Sequence, residues 1–401
     1  MPGRYNTYRT PVFPAFAWLV YEVTGVQPRQ VYRAQLVLLA LAAACLPLLG
    51  ARQAGNAGFG LGLVSGLLLL GVHARLAETF LTEVMILVHG VALLAVFLGF
   101  EAKPTPARAA ALGLAAGAGL LVKGSLIFIP PLLGLWIFIQ FLRRRWGIAV
   151  VGAAAVGMLV LPVVWSMYVS AQAGKPVFVS TQGNRVLLDG NNELAFPDGG
   201  WHPEWDGQSR GFVQAPADVS GLYYHREDVR ALPVWRQVLG FALANPARMP
   251  VLLLNKVGAA FADLAGLHLW MAAWIFLALR DGLLRRLPAR RAGPAAALLA
   301  LVFFLLAPRE HYAVTGLLVL ATSALWTGLA WFGRPGTLPR LPALAWIVPL
   351  NFLLLTLMTF GLRRFTLPGD PLFWLATGLV LVHAFSLLRH DCRPPVNAPS
   401  P

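Results

Sequence analysis

Apolar residues run along this chain in long blocks, broken by short clusters of Arg, Pro and Gly. A block of about 20 apolar residues is what a helix needs to cross the hydrocarbon layer of a bilayer. Such blocks lie at about 34–50, 57–73, 79–100, 107–122, 125–141 and 147–170. They resume at about 250–279, 294–308, 313–333, 342–361 and 371–388. The pattern predicts an all-α polytopic membrane protein with 10–12 membrane helices. Residues 11–25 are apolar but short and bracketed by Pro, which fits a re-entrant or interfacial helix. Residues 107–141 are too long for one crossing and break at Lys123-Gly124-Ser125. They read as two short helices that meet near one membrane surface.

Between residues 171 and 248 the pattern stops. No apolar stretch there is long enough to cross, and turn-forming clusters recur: Gly174-Lys175-Pro176, Asp189-Gly190-Asn191-Asn192 and Pro197-Asp198-Gly199-Gly200. A connection of this length without a function is uncommon. Near its end, Val234, Val238, Phe241 and Ala242 recur at helical spacing within 232–246, an amphipathic helix expected to lie along the surface. The organisation is therefore a membrane module over 1–170, a large outer loop over 171–248, a second set of membrane helices over 249–388 and a Pro-rich disordered tail over 389–401. No internal repeat is visible.

Composition sharpens this picture. Of 401 residues, 58% are hydrophobic and only 12% charged. A soluble domain carries about 25% charged residues, so a large water-soluble core is excluded as the reading. The net charge of +15 does not point to nucleic acid, because Arg143-Arg144-Arg145, Arg285-Arg286 and Arg290-Arg291 sit between apolar blocks. Arg at such positions fixes orientation and meets lipid head groups. If the blocks alternate, these clusters share one side with Lys103, Arg108, Arg334 and Arg340, which should be cytoplasmic. The 171–248 loop, Lys123 and the turn at 74–78 then face outward. Cys45 and Cys392 form no disulfide framework and have no metal-ligand spacing. The first ten residues, MPGRYNTYRT, hold no apolar stretch of the kind a signal peptide needs.

Five stretches carry a resemblance. They are NTYRTPVFPAFAWLVYEVTG, LAETFLTE, GLAAGAGLLVKGSLIFIPPLLGLWIF, VFVSTQGNRVLLDGNNELAFPDGG and ANPARMPVLLLNKV. In this order, over roughly residues 4–260, they resemble the GT-C superfamily of membrane glycosyltransferases, in the branch of the protein O-mannosyltransferases and aminoarabinose transferases. The resemblance implies a GT-C-like fold and an enzyme that takes a sugar from a polyprenyl-phosphate donor. The acceptor would be a lipid, glycan or protein on the outer face of the membrane.

That chemistry needs cations for the phosphate leaving group and a carboxylate to deprotonate the acceptor. Arg9, Lys123 and Arg309 fall at outer helix ends or hinges and are the candidate phosphate ligands; as surface residues they would simply snorkel. Glu78 matches the family's Glu position and is the candidate catalytic carboxylate, although a Glu there also caps a helix. Glu83 lies five residues on, off the same helical face, and is the weaker candidate. In the outer loop, Asp189, Asn191, Asn192, Trp201 and His202 suit a sugar, since amides both donate and accept and indole faces stack on sugar rings; a turn explains Asn191-Asn192 equally well. Tyr312 and His311, on a later outer turn, are further cavity candidates. No metal site is assigned; a divalent ion near His202 is the one cofactor left open.

The sequence departs from the family at its start. The resemblance implies a first helix followed by an acidic catalytic base, and neither precedes Glu22 here. The expectation is a chain truncated upstream of Met1, and inactive as it stands. A lipid or glycan flippase or transporter, and a non-catalytic membrane scaffold, are the rival readings. A multi-pass protein of a bacterial inner membrane is the expected location.

Overall fold

The computed structural model describes residues 10–77, 82–180, 187, 191, 229, 232–261, 347, 350–352, 354 and 358. Among the described residues all regular structure is helical. The elements are α1 (Val12–Thr24), α2 (Pro28–Ala77), α3 (Glu83–Ala102), α4 (Pro106–Val122), α5 (Ile129–Leu142), α6 (Ile148–Ala173), α7 (Val234–Ala244) and α8 (Met249–Phe261). Pro28–Gln53, Glu83–Ala102, Gly124–Leu142 and Ile148–Ala173 are each long and apolar enough to cross a membrane.

The first feature is a reversal. α2 is not one rod but a hairpin whose arms are Pro28–Gln53 and Gly58–Gly71. The chain turns at Gly55, whose φ of 57° suits glycine. The arms lie almost backbone to backbone. A Cβ on Gly50 would strike the Gly58 carbonyl, one on Gly62 the Leu46 carbonyl, and one on Gly66 would come within 2.7 Å of the Ala43 carbonyl. This agrees with separate apolar blocks at 34–50 and 57–73. α1 is too short to cross; it buries Phe13 and Ala17 and leaves Trp18, Leu19 and Val23 exposed, as an interfacial helix would.

Glycine also sets the packing of α4 on α6. Gly113 and Gly117 stand four apart on α4, and no Cβ fits at either: each faces an α6 carbonyl, Ala154 and Met158 respectively. Gly157 of α6 answers against the Ala110 carbonyl. Lipid offers no hydrophobic drive between helices, so small residues that let backbones close in are what hold such a pair. The register 113 with 154 and 117 with 158 makes the two helices parallel. The other side of α6 (Val156, Leu159, Val160, Val163, Val164 and Met167) is exposed and wholly apolar. A face of that kind suits acyl chains and not water.

α3 and α4 are antiparallel, because Lys123 bonds Glu83 at one end while Arg108 Nη1 donates to the Gly99 carbonyl (2.6 Å) at the other. Around the Arg108 end, Phe97, Phe100, Trp136 and Trp146 form an aromatic cluster, with the Trp136 and Trp146 ring centroids 4.9 Å apart. Lys103, Arg143, Arg144 and Arg145 stand exposed beside it. Aromatic and basic side chains together are the signature of a membrane–water boundary.

α7 forms where the helical spacing predicts it. Phe241 and Gln237 are buried, and Val234, Val238 and Ala242 are half-buried on the same side. Its other side carries a second apolar stripe, Trp235, Leu239 and Leu243, exposed, with Arg236 over the Trp235 ring at 5.1 Å.

Candidate functional site

The break between α4 and α5 is built into the sequence. Lys123 is extended (φ −159°, ψ 136°) and ends α4, a single 3₁₀ turn covers Gly124–Leu126, and Pro130 and Pro131 follow in the first turn of α5. Proline is tolerated there because the first-turn N–H groups have no helical partner anyway. The packing register gives the height of this break. Gly117 meets α6 at Met158 and Pro162, so Lys123 is level with roughly residue 166 of α6. α6 continues to Ala173, so the break lies about 10 Å short of its end at 1.5 Å per residue. The hinge is recessed.

Into this recess come polar groups from distant parts of the chain. Thr10 donates its hydroxyl to the Val122 carbonyl (2.9 Å). Lys123 Nζ donates to Glu83 Oε1 at 2.9 Å, with the Glu83 side chain 4% exposed and that of Lys123 20%. Glu83 opens α3, where the helix dipole favours a carboxylate. The second carboxylate oxygen, Glu83 Oε2, is buried with no partner among the described residues, as is Ser125 Oγ. Asn351 closes the hinge from behind: its Nδ2 donates to the Ser125 carbonyl (3.1 Å) and its Oδ1 accepts from the Phe128 N–H (3.0 Å). One side chain thus satisfies two of the backbone groups that the broken helix leaves open, as Thr10 satisfies a third.

One turn deeper, His89 Nε2 is also buried and unpartnered among the described residues. It lies against Gly119, where an added Cβ would come within 2.9 Å of it.

The large polar segment descends toward the same level. After Gly174 (φ 62°) the chain runs back along α6. Ser170 Oγ accepts from the Val177 N–H (2.8 Å), Ser166 Oγ from the Val179 N–H (3.1 Å), and Trp165 Nε1 donates to the Val179 carbonyl (2.9 Å). Val179 therefore sits beside residues 165–166, the height the register assigns to Lys123. Its φ of 60° is costly for a β-branched residue and persists because both of its backbone groups are held.

Further on, Asn191 is 3% exposed. Its Nδ2 donates to the carbonyls of Leu187 (2.8 Å) and Met358 (2.7 Å), and its Oδ1 accepts from Lys256 Nζ (2.8 Å). Lys256 is fully buried on α8.

Of the residues singled out in the sequence, Lys123 stands at the hinge, and Asn191 is tied between Lys256 and the Met358 carbonyl. Arg9, Glu78, Asp189, Asn192, Trp201, His202, Arg309, His311 and Tyr312 lie outside the described residues. Glu83, the weaker of two carboxylate candidates, is the one that the described residues pair with Lys123. Thr10, Asn351 and Lys256 were not singled out. Lys256 could have been, since a lone Lys in MPVLLLNKVGAAF is costly in an apolar helix. Among the described residues no group of three or more His, Cys, Asp or Glu is placed to hold a metal ion.

No family model, curated protein or solved structure matches the chain.

Proposed function

We propose that this protein is a membrane glycosyltransferase that moves a sugar from a polyprenyl-phosphate donor to a lipid, glycan or protein acceptor. In this reading the Glu83–Lys123 end of the bundle faces outward, and the basic, aromatic end faces the cytoplasm of a bacterial inner membrane. The observation that carries the reading is the recessed hinge. A carboxylate and an ammonium are paired there below the rim of α6, with one carboxylate oxygen still open. An open carboxylate can accept a hydroxyl proton, and cations beside it can stabilise a phosphate leaving group. Lys123 is the phosphate-side cation of this proposal, joined by Arg9 and Arg309. Glu78 and Glu83 are its carboxylates, and the 171–248 segment, GT-C-like in its motifs, is its sugar-side cover.

The test is transfer itself. Membranes containing the protein, given radiolabelled polyprenyl-phosphate sugars of several kinds, should release polyprenyl phosphate and label an acceptor fraction. Glu83→Gln and Lys123→Met should each reduce the signal by at least tenfold. Absence of both transfer and donor binding across the sugars would overturn the reading.

A further inference from the structure

Lys256 is the most deeply buried charged side chain among the described residues, with no exposed surface, yet Asn191 Oδ1 is its one described partner. Its neighbours on α8, Leu252 and Val257, are fully buried and apolar. An ammonium can donate three hydrogen bonds, and in an apolar interior its charge is costly unless an anion stands opposite it. No carboxylate is placed against it among the described residues. Methionine would fill the same volume without that cost, so the lysine calls for a functional explanation.

Asn191 explains how the charge is tolerated at rest. Both of its amide N–H groups are spent on carbonyls, which fixes its oxygen toward Lys256. That oxygen is neutral and belongs to the polar segment, not to a membrane helix. It is an acceptor that no covalent link ties to the lysine's helix.

We propose that Lys256 is a phosphate-binding lysine and that Asn191 occupies the phosphate position until the ligand displaces it. The choice of phosphate rests on the glycosyltransferase reading; the site itself rests on the geometry of Lys256 and Asn191. The phosphate is that of a lipid head group or a free phosphate ion. Displacement of Asn191 also releases its bond to the Met358 carbonyl. Met358 lies seven positions after Asn351, which clamps the hinge.

The experiment uses the full chain purified in a maltoside detergent, which carries no phosphate, with radiolabelled undecaprenyl phosphate and inorganic phosphate as separate probes. Wild-type protein should bind at least one of them: the lipid probe alone assigns a head-group site, and inorganic phosphate as well assigns a free-phosphate site. Lys256→Met should weaken that binding by at least tenfold while melting at or above the wild-type temperature, and Lys256→Arg should retain it within a few-fold. Asn191→Ala, which removes the competing oxygen, should bind several-fold more tightly. Unchanged binding in Lys256→Met, or no binding of either probe by the wild type, overturns the proposal; weaker binding in Asn191→Ala overturns the displacement. Sugar transfer undiminished in Lys256→Met would sink this site and leave the glycosyltransferase reading intact. Lys256-dependent phosphate binding without any sugar transfer would do the reverse.

Discussion

The two ends of the helix bundle use the same residue types in opposite ways. At one end Lys103, Arg143, Arg144 and Arg145 stand in the open beside Trp136 and Trp146. Arg145 also donates to Gln140 Oε1, but all four keep their charge in contact with solvent. At the other end Glu83 is 4% exposed and pairs with Lys123 of another helix, and Lys256 of α8, not exposed at all, has its partner in the polar segment. Burial, more than charge, separates an anchor from a site. An exposed cation contributes orientation, whereas a buried one holds a particular geometry, because losing its partner leaves a desolvated charge behind.

The contrast can be broken most forcefully at the hinge. Lys123→Leu or Glu83→Leu strands one buried charge and should cost about 3 kcal/mol of stability, the lower end for a buried pair because Lys123 keeps some solvent contact. The double Glu83→Leu/Lys123→Leu protein should recover most of that loss in a thermal melt. If the double variant is as unstable as the sum of the singles, the pair is not a unit.

Asn351→Ala comes next. It leaves the Phe128 N–H and the Ser125 carbonyl without their side-chain partner and should cost about 2 kcal/mol, read from the same melts. Gly119→Ala follows at about 1 kcal/mol, because its methyl meets His89 Nε2. His89→Ala in the same chain should relieve it. At the exposed end, Arg144→Gln should leave the melting temperature unchanged. Arg144→Gly should raise it slightly, since Arg144 sits at φ 56° where glycine is at ease.

Much of the described fold was legible in the sequence because membrane spans are written in local composition. The hairpin at Gly55, the short α1, the hinge at Lys123 and the helix α7 each follow from a run, a break or a period within about 30 residues. The site was less legible, because its pairs join remote positions. Asn351 meets Ser125 across 226 residues and Lys256 meets Asn191 across 65. Nothing near Asn351 in sequence announces a broken helix elsewhere. Glu83 shows the same limit. Both it and Glu78 fit the start of a span, and only the antiparallel packing of α3 on α4 brings Glu83 to Lys123. The start of the polar segment runs back along the side of α6, held by Ser166 and Ser170. Serine hydroxyls facing backbone groups seven and thirteen residues on carry no periodic signal.

The central claim is that the two ends lie on opposite sides of a membrane, with the Glu83–Lys123 pair at the outer one. Single cysteines at Lys175 and Arg144, both exposed, placed in a chain with Cys45 and Cys392 replaced, test it directly with a membrane-impermeant thiol reagent on intact cells stripped of their outer barrier. Labelling of Lys175→Cys from outside, with Arg144→Cys labelled only after permeabilisation, is the expected result. The reverse pattern, or equal labelling of both before permeabilisation, would contradict it.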